Sequence, residues 1–359
     1  MALPAEMSPQ TVQHALIAVP WSRDSIDELV AALDPHQVTI APTSGHQISS
    51  ALRTADVAII GKNADARFVE ASQLRWLHID HAGIDGFAPP GLFRDRVVTT
   101  SAGRSAPALA DHAMYLMLAL VHDQRGIELL RRRRAWSRRP VRRLAALHGA
   151  RVLVIGCGQT GRAIAHRCHT AGMHVTGVRR SGSLDLPGFD RVVHAGNWSE
   201  LSALLAATNV LVLAAPLNND THHLIGASEL EALPTSALLI NMGRGGLVDQ
   251  PALVQALRSG QIAGAGLDVA DPEPLPPWSP LWRLRNTVIT PHLTPALIDK
   301  ERRSLDIVLE VAEQRAAGIP VTRALSEVDA YTLGQQPSRL SRGATRAWLR
   351  VIGRTLPRG

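Results

Sequence analysis

The stretch Val152–Gly161, VLVIGCGQTG, decides the fold of the region around it. An apolar run typical of a buried strand is followed by Gly156, Gly158 and Gly161, spaced as GxGxxG at the start of a helical pattern. In that context Gly156 allows a tight turn, Gly158 lets backbone N–H groups approach a pyrophosphate, and Gly161 lets the helix lie close to the sheet. The stretch therefore predicts a dinucleotide-binding turn, with Gln159 and Thr160 as the first helical residues at the phosphate.

The residues after the next strand discriminate between two cofactors. VTGVRRS, Val175–Ser181, places Arg179, Arg180 and Ser181 where an acid normally accepts hydrogen bonds from the ribose of NAD. Two guanidinium groups and a hydroxyl suit a phosphate dianion instead. We therefore expect NADP(H) in preference to NAD(H), with exposed arginines of no function as the other interpretation.

Length and composition restrict the class of protein. The chain has 359 residues, of which 45% are apolar and 19% charged, so a globular protein of two domains is predicted. The N-terminus has no basic stretch ahead of its apolar residues, and Asp111 and His112 interrupt the most apolar segment, so neither a secretory signal nor a membrane span is expected. Only Cys157 and Cys168 are present, without CxxC spacing, so the sequence indicates a cytoplasmic protein and no metal site.

The net charge of +7 is concentrated in two arginine-rich segments. Residues 331–359 carry six arginines and no acid, and a second cluster, Arg131–Arg143, reads as an exposed connection. Separate basic patches are more typical of solvated faces than of nucleic-acid binding. Neither nucleic acid nor a membrane is therefore expected as a partner, and a solvated tail over 331–359 is favoured over a basic amphipathic helix.

Strands and helices alternate along the chain, which predicts an α/β fold with two Rossmann-like doubly wound domains. The predicted strands are 14–20, 55–61 and 75–80, followed by a second series at 151–156, 174–179, 210–216, 237–242, 263–269 and 287–292. The predicted helices are 25–34, 106–123, 161–172, 198–208, 251–260 and 299–318.

Polar residues follow the last three predicted strands. Arg244 comes after the fourth strand of the second series, Asp268 and Glu273 after the fifth, and His292 after the sixth. Ligands of open α/β sheets bind beyond the carboxyl ends of the strands. An arginine, a carboxylate and an imidazole converging there suit the reduction of a ketone by a nicotinamide.

Five sequence blocks, taken together, resemble those of the D-isomer-specific 2-hydroxyacid dehydrogenases. The resemblance covers roughly residues 50–325 and rests on GCGQTGRAIA, APLNNDTHHLI, NMGRGGLVDQPALVQAL, GAGLDVADPEPLP and NTVITPHLTP, in that order. It implies a substrate domain split between 1–110 and 294–330, a dinucleotide-binding domain at 111–293, and a basic tail at 331–359. It also implies a homodimer formed through the cofactor domains.

The resemblance further implies roles for individual residues. Arg244 would hold the substrate carboxylate and polarise the keto oxygen, His292 would be the general acid, and Glu273 would fix its tautomer. Asp268 and Pro216 would lie with the cofactor, and the backbone of Ala82 and Gly83 would bind the substrate carboxylate.

The resemblance implies an NAD(P)-dependent 2-oxoacid reductase acting on a small acid such as glyoxylate or hydroxypyruvate. Two alternatives stay open at this point. One is another dehydrogenase of the family, for phosphoglycerate, phosphite or formate. The other is a nucleotide-sensing, corepressor-like binding protein.

Overall fold

The computed structural model describes residues 11–43, 45–61, 64–83, 89–137, 145–196, 198–294 and 297–325. These residues form two compact units. The first contains the described residues up to Arg104 together with those from Leu297 onwards, and the second contains those from Ser105 up to Thr294. The predicted tail at 331–359 lies outside the described residues.

The first unit is built on a five-stranded parallel sheet in the order β2-β1-β3-β4-β5. This order is that of a doubly wound, flavodoxin-like sheet. Its elements from the N-terminal segment are β1 His14–Ala18, α1 Arg23–Leu33, β2 Gln37–Ile40, α2 His46–Ala51, β3 Val57–Ile60, α3 Ala66–Glu70, β4 Trp76–Ile79 and β5 Val97–Thr100.

The second unit is built on a seven-stranded parallel sheet, in the order β12-β11-β10-β9-β6-β7-β8. Strand order reverses between β6 and β9, so the topological switch point lies at their carboxyl ends. Its elements are α4 Ala106–Val121, α5 Gln124–Arg132, β6 Arg151–Ile155, α6 Gln159–Thr170, β7 His174–Arg179, β8 Arg191–His194, α7 Trp198–Ala206, β9 Val210–Leu213, α8 Ala227–Ala232, β10 Leu238–Asn241, α9 Gln250–Ser259, β11 Gly264–Leu267 and β12 Thr287–Ile289.

The last helix, α10 at Lys300–Ala316, belongs to the first unit. Its buried side chains Leu305, Val308 and Val311 pack in one cluster with Ala15 and Ile17 of β1. The intervening residues of β1 face the opposite helical layer, as expected for a parallel strand buried on both faces. Described residues from both the N-terminal and the C-terminal parts of the chain therefore build the first unit.

The α/β class and the two doubly wound sheets confirm the fold prediction, although the sequence interpretation missed several short elements. The elements that the sequence does not predict are strands β2, β5 and β8 and helices α2, α3, α5 and α8. The basic cluster beginning at Arg131 starts within the last turn of α5 rather than after a helix. In the described part of the chain, no helix has the length and apolar character needed to cross a membrane.

Candidate active site

The glycine turn lies at the switch point of the seven-stranded sheet. Gly156 directly follows β6, and its φ of 104° is a left-handed conformation that favours glycine. A Cβ on Gly156 would lie 2.6 Å from the carbonyl carbon of Ala214, directly after β9. The turn therefore requires glycine both for its backbone angle and for the close approach of the two strand ends.

Gly161 and Gly158 serve different purposes in the same turn. A Cβ on Gly161 would lie 1.8 Å from the carbonyl oxygen of Gly156, whereas a Cβ on Gly158 would meet no atom within 4 Å. The first intrahelical bond runs from the Arg162 N–H to the Gly158 carbonyl at 2.9 Å, and Gly158 provides no side-chain cap. The space above Gly158 and the first amides of α6, including those of Gln159 and Thr160, fit a pyrophosphate.

Arg179 is the last residue of β7, where the sequence predicts contact with the adenosine end of a cofactor. It is partly buried, and its Nη1 donates to the Ser183 carbonyl at 2.7 Å, which closes the turn that follows the strand. Arg180 and Ser181 are exposed in that turn. Cys157, by contrast, is buried against β7, and burial raises the pKa of its thiol to about 11. Cys157 is therefore a packing residue and not a nucleophile.

Arg244 follows β10 in a turn that its own backbone helps to fix. The Asn241 side chain donates to the Arg244 carbonyl at 2.9 Å and accepts from the Gly243 N–H at 3.1 Å. Arg244 is partly buried, and its Nη1 donates to the Gly243 carbonyl at 2.9 Å. Pro216, after β9, is exposed, and its carbonyl accepts from the Thr221 hydroxyl.

His292 and Glu273 are in direct contact. The Nδ1 of His292 lies 3.0 Å from Oε2 of Glu273, and the other carboxylate oxygen accepts from the Ala270 N–H at 3.0 Å. Because a carboxylate only accepts, Nδ1 carries the hydrogen in this contact, which leaves Nε2 as the ring atom for a substrate. Both side chains are about two-fifths exposed, at 39% and 40%, so a ligand can reach the pair.

Asp268 lies beneath this pair and is only 1% exposed. Its Oδ1 accepts from the Thr290 hydroxyl at 2.7 Å and from the Leu293 N–H at 3.2 Å, and its Oδ2 accepts from the Thr294 hydroxyl. Its carbonyl accepts from the His292 N–H at 2.9 Å. Asp268 therefore fixes the segment that carries His292, and all of these contacts are with the protein's own groups.

His112 on α4 is a contributor that the sequence interpretation missed. Its Nε2 lies 2.8 Å from the Thr290 hydroxyl and 3.5 Å from Oδ1 of Asp268. Because Thr290 gives its own hydrogen to Asp268, His112 is the donor to Thr290. A histidine within an apolar helix far along the chain gives no sequence signal of this contact.

Backbone packing connects the Arg244 turn to the pair. A Cβ on Gly245 would lie 1.9 Å from the Ala270 carbonyl oxygen, so the two segments touch directly at this glycine. Ala270 is in turn the residue whose N–H Glu273 accepts. Contacts therefore run from the backbone that follows Arg244, through Ala270 and Glu273, to His292. They lie at the carboxyl ends of the adjacent strands β10, β11 and β12.

In the first unit, Ala82 and Gly83 follow β4, where Ala82 is exposed and Gly83 partly buried. The His81 Nδ1 contacts the Gly83 carbonyl. The remainder of the predicted carboxylate loop, at 84–88, lies outside the described residues.

A buried ion pair stands just before this loop. The Arg104 guanidinium contacts Asp80 at 2.5 Å, and both side chains are under a tenth exposed. Burial alone would raise the pKa of Asp80, but hydrogen bonds from Ser304 and Ser101 and the charge of Arg104 hold it below its usual range. The pair anchors the end of β4 and therefore the start of the loop.

Comparison with known proteins agrees with this geometry. The family described as "D-isomer specific 2-hydroxyacid dehydrogenase, NAD binding domain" matches residues 114–294. A glyoxylate reductase of Korarchaeum cryptofilum is 32% identical over 282 residues, which cover 75% of this chain and 82% of that protein. A glyoxylate/hydroxypyruvate reductase B of Pectobacterium carotovorum is 33% identical over 305 residues, covering 80% of this chain and 88% of that protein.

A solved structure extends the likeness to the fold. A D-isomer specific 2-hydroxyacid dehydrogenase from Xanthobacter autotrophicus, in complex with NADPH and MES, superposes with a TM-score of 0.71 at 30% identity. The match covers 88% of this chain and 98% of that one.

A glycine turn at the switch point and an imidazole–carboxylate pair at neighbouring strand ends define an NAD(P)-dependent oxidoreductase. The chain belongs to the D-isomer-specific 2-hydroxyacid dehydrogenase family, since that family's NAD-binding domain matches half of it. The resemblance noted from the sequence blocks is thereby confirmed.

Proposed function

We propose that this enzyme uses NADPH to reduce a small 2-oxoacid, glyoxylate or hydroxypyruvate, to the corresponding 2-hydroxyacid, which has the D configuration where C2 is a stereocentre. The direct contact between His292 and Glu273 carries the proposal, because it presents one ring nitrogen to a substrate and ties the other to a carboxylate. The names of the Korarchaeum and Pectobacterium relatives support the choice of substrate.

The proposed roles follow from the donors available. When bound, the nicotinamide supplies a hydride to C2 of the substrate. Arg244 would bind the substrate carboxylate and draw electron density towards the keto oxygen, and His292 Nε2 would donate the proton to that oxygen. One hydride and one proton thus convert the ketone to the alcohol, and Glu273 stabilises the protonated imidazole before transfer. Ala82 and Gly83 keep their proposed role of binding a carboxylate through backbone N–H groups.

The preference for NADPH rests on the end of β7. No acidic side chain occupies the positions of Arg179, Arg180 and Ser181, and two of these three side chains are exposed. Such a surface suits the 2′-phosphate and offers no carboxylate to accept from the ribose 2′- and 3′-hydroxyls. The NADPH present in the Xanthobacter structure supports this choice.

A homodimer formed by the second unit is part of the same proposal. Four large apolar side chains on and after α4 and α5 are exposed in the single chain: Tyr115 at 47%, Leu118 at 43%, Ile127 at 42% and Trp136 at 105%. Burial of such side chains drives association of subunits. Light scattering at twice the monomer mass would support the dimer, and a monomer at micromolar concentration would contradict it.

We also propose a cytoplasmic location. Cys157 and Cys168 are both free and buried, as is usual in a reducing compartment. Fractionation of the source cells tests this, and recovery of the protein outside the cytoplasm would contradict it.

A panel of 2-oxoacids tests the function. Purified protein is mixed with NADPH and each acid, and consumption of the reduced nicotinamide is followed by its absorbance. Turnover should be lost by about 10²-fold or more in His292→Ala while NADPH affinity is kept. The control is His174→Ala, an exposed histidine at the amino end of β7. Tight NADPH binding without turnover of any acid would favour the nucleotide-sensing alternative instead.

A further inference from the structure

Three potential metal ligands converge on the surface of the second unit, apart from the His292–Glu273 pair. His222 and His223 follow β9, and Asp271 follows β11. All three are exposed, and one ligand atom from each lies within 4.8 Å of the others. Residues 48 positions apart in sequence are thereby brought together by the sheet.

The backbone around the two histidines is held in place by internal bonds. The buried Asn218 side-chain oxygen accepts from the N–H groups of Asp220 and Thr221, at 2.9 and 3.1 Å. The His223 N–H donates to the Gly246 carbonyl at 2.8 Å. The histidines therefore stand on a fixed turn and not on a loose loop.

The two rings lie face to face. Their centroids are 3.9 Å apart and their planes differ by 20°, so the imidazoles are stacked. A neutral imidazole is the form that binds a metal ion, because the ligand nitrogen must be unprotonated.

We propose that His222, His223 and Asp271 form a surface site for a divalent ion of the zinc class. Two imidazole nitrogens and one carboxylate oxygen suit Zn²⁺ or Ni²⁺, whereas Mg²⁺ and Ca²⁺ prefer oxygen ligands alone. In a tetrahedral zinc site neighbouring ligand atoms are about 3.4 Å apart. The ligand atoms lie within 4.8 Å of one another, so they need to close by up to about 1.4 Å. The stacked rings also need to rotate so that both nitrogen lone pairs point at the ion, and water completes the coordination. The sequence predicts no metal site, because sequence motifs for metal sites have ligands at short fixed spacings and Asp271 lies far from the two histidines along the chain.

An ion at this site would connect two segments on either side of the Arg244 turn. His223 is bonded to Gly246 of that turn, and Asp271 follows Ala270, which packs against Gly245. Binding to the folded state alone stabilises it in proportion to the logarithm of metal concentration. Metal occupancy should therefore raise the melting temperature of the second unit.

Calorimetric titration of tag-free, chelator-treated protein with Zn²⁺ tests the site. One ion should bind per chain, and His223→Asn and Asp271→Asn should each weaken binding by at least about tenfold. Asparagine tolerates the left-handed backbone of His223, whose φ is 51°. The matched control is His169→Ala, which removes an exposed histidine that lies 3.4 Å from Asp190. Among the described residues, this pair belongs to no group of three potential metal ligands. The Zn²⁺ affinity of the control should equal that of the wild type.

Several outcomes would overturn the proposal. One is the absence of saturable Zn²⁺ binding, and another is the same Zn²⁺ affinity in the wild type and in His223→Asn. A third is displacement of Zn²⁺ by an equal concentration of Mg²⁺. Binding lost in His292→Ala but kept in His223→Asn would assign the ion to the His292–Glu273 pair instead. Metal-free melting temperatures of all variants show that each is folded, and if His223→Asn does not fold, His222→Gln replaces it.

Discussion

Two alanine substitutions in the glycine turn should have opposite consequences. Gly158→Ala adds a methyl group where nothing lies within 4 Å, at a backbone with φ −75° and ψ −165° that alanine adopts readily. Gly161→Ala adds the same group 1.8 Å from the Gly156 carbonyl oxygen. The first change should therefore affect the cofactor and the second should affect the fold.

The structure sets the size of each effect. In Gly158→Ala the weaker N-cap and the reduced entropy of the unfolded chain nearly offset each other, so the free energy of unfolding should change by less than about 1 kcal/mol. Displacing a pyrophosphate from the α6 amides loses a charge-assisted hydrogen bond of about 1.5–3 kcal/mol, or about 10- to 150-fold in affinity. In Gly161→Ala the added methyl group overlaps with backbone, so the free energy of unfolding should fall by about 3 kcal/mol. This loss lowers the melting temperature by roughly 6–12 °C.

Calorimetric melting without cofactor and fluorescence titration with NADPH separate the two effects. Gly158→Ala should have the same melting temperature as the wild type and should bind NADPH at least about tenfold more weakly. Unchanged NADPH affinity in Gly158→Ala would refute the assignment of this turn to the pyrophosphate. A Gly161→Ala variant that melts with the wild type would refute the close packing of α6 on β6.

Three further predictions concern the pair, the cofactor and pH. Glu273→Gln should lower kcat by about 10²-fold or more with NADPH affinity unchanged; a steady-state kcat within about threefold of wild type would contradict the role. Arg180→Ala should raise the KM for NADPH at least about tenfold and leave the KM for NADH unchanged, and equal changes in both would contradict a phosphate contact. Burial lowers the pKa of His78 to about 4, so between pH 6.5 and 4 the unfolded state binds more protons and about 3 kcal/mol of stability is lost as pH falls. Urea unfolding at pH 7 and 5 spans about 2 kcal/mol of this loss, and the difference between the two pH values should be smaller in His78→Gln.

The fold was predictable where the signal is local. The strand, glycine turn and helix at 151–170 follow from neighbouring residues alone, and β6 and α6 lie there. Strand β2, in contrast, is only four residues long and mostly exposed. Its sequence, QVTI, alternates polar and apolar residues, but four residues are the shortest alternation that indicates a strand. Strand β8 is also four residues long and lies at an edge of its sheet. Short edge strands are defined by the partner that they pair with, and a single sequence does not show that partner.

The sequence predicts the candidate-site residues that follow strands, but it does not predict contacts between elements that are distant along the chain. Arg244, Glu273 and His292 each follow a strand, and parallel strands bring such positions to one edge. His112 contacts Thr290 from 178 positions away, and nothing in either sequence neighbourhood indicates that contact. Likewise, the bond from Arg179 to Ser183 depends on how the turn after β7 closes, which residue types alone do not determine.

The buried Asp268 explains how a strained backbone can carry the proposed acid. His292 has φ at 50°, a left-handed conformation that costs a non-glycine residue about 1–3 kcal/mol. The Asp268 carboxylate accepts from the Leu293 N–H and the Thr294 hydroxyl on one side of the kink and from Thr290 on the other. Hydrogen bonds to a charged group contribute about 1.5–3 kcal/mol each. The three bonds to the Asp268 carboxylate therefore outweigh the backbone strain at His292. The kink then directs the imidazole to Glu273, and one buried carboxylate positions the pair without itself needing to touch a substrate.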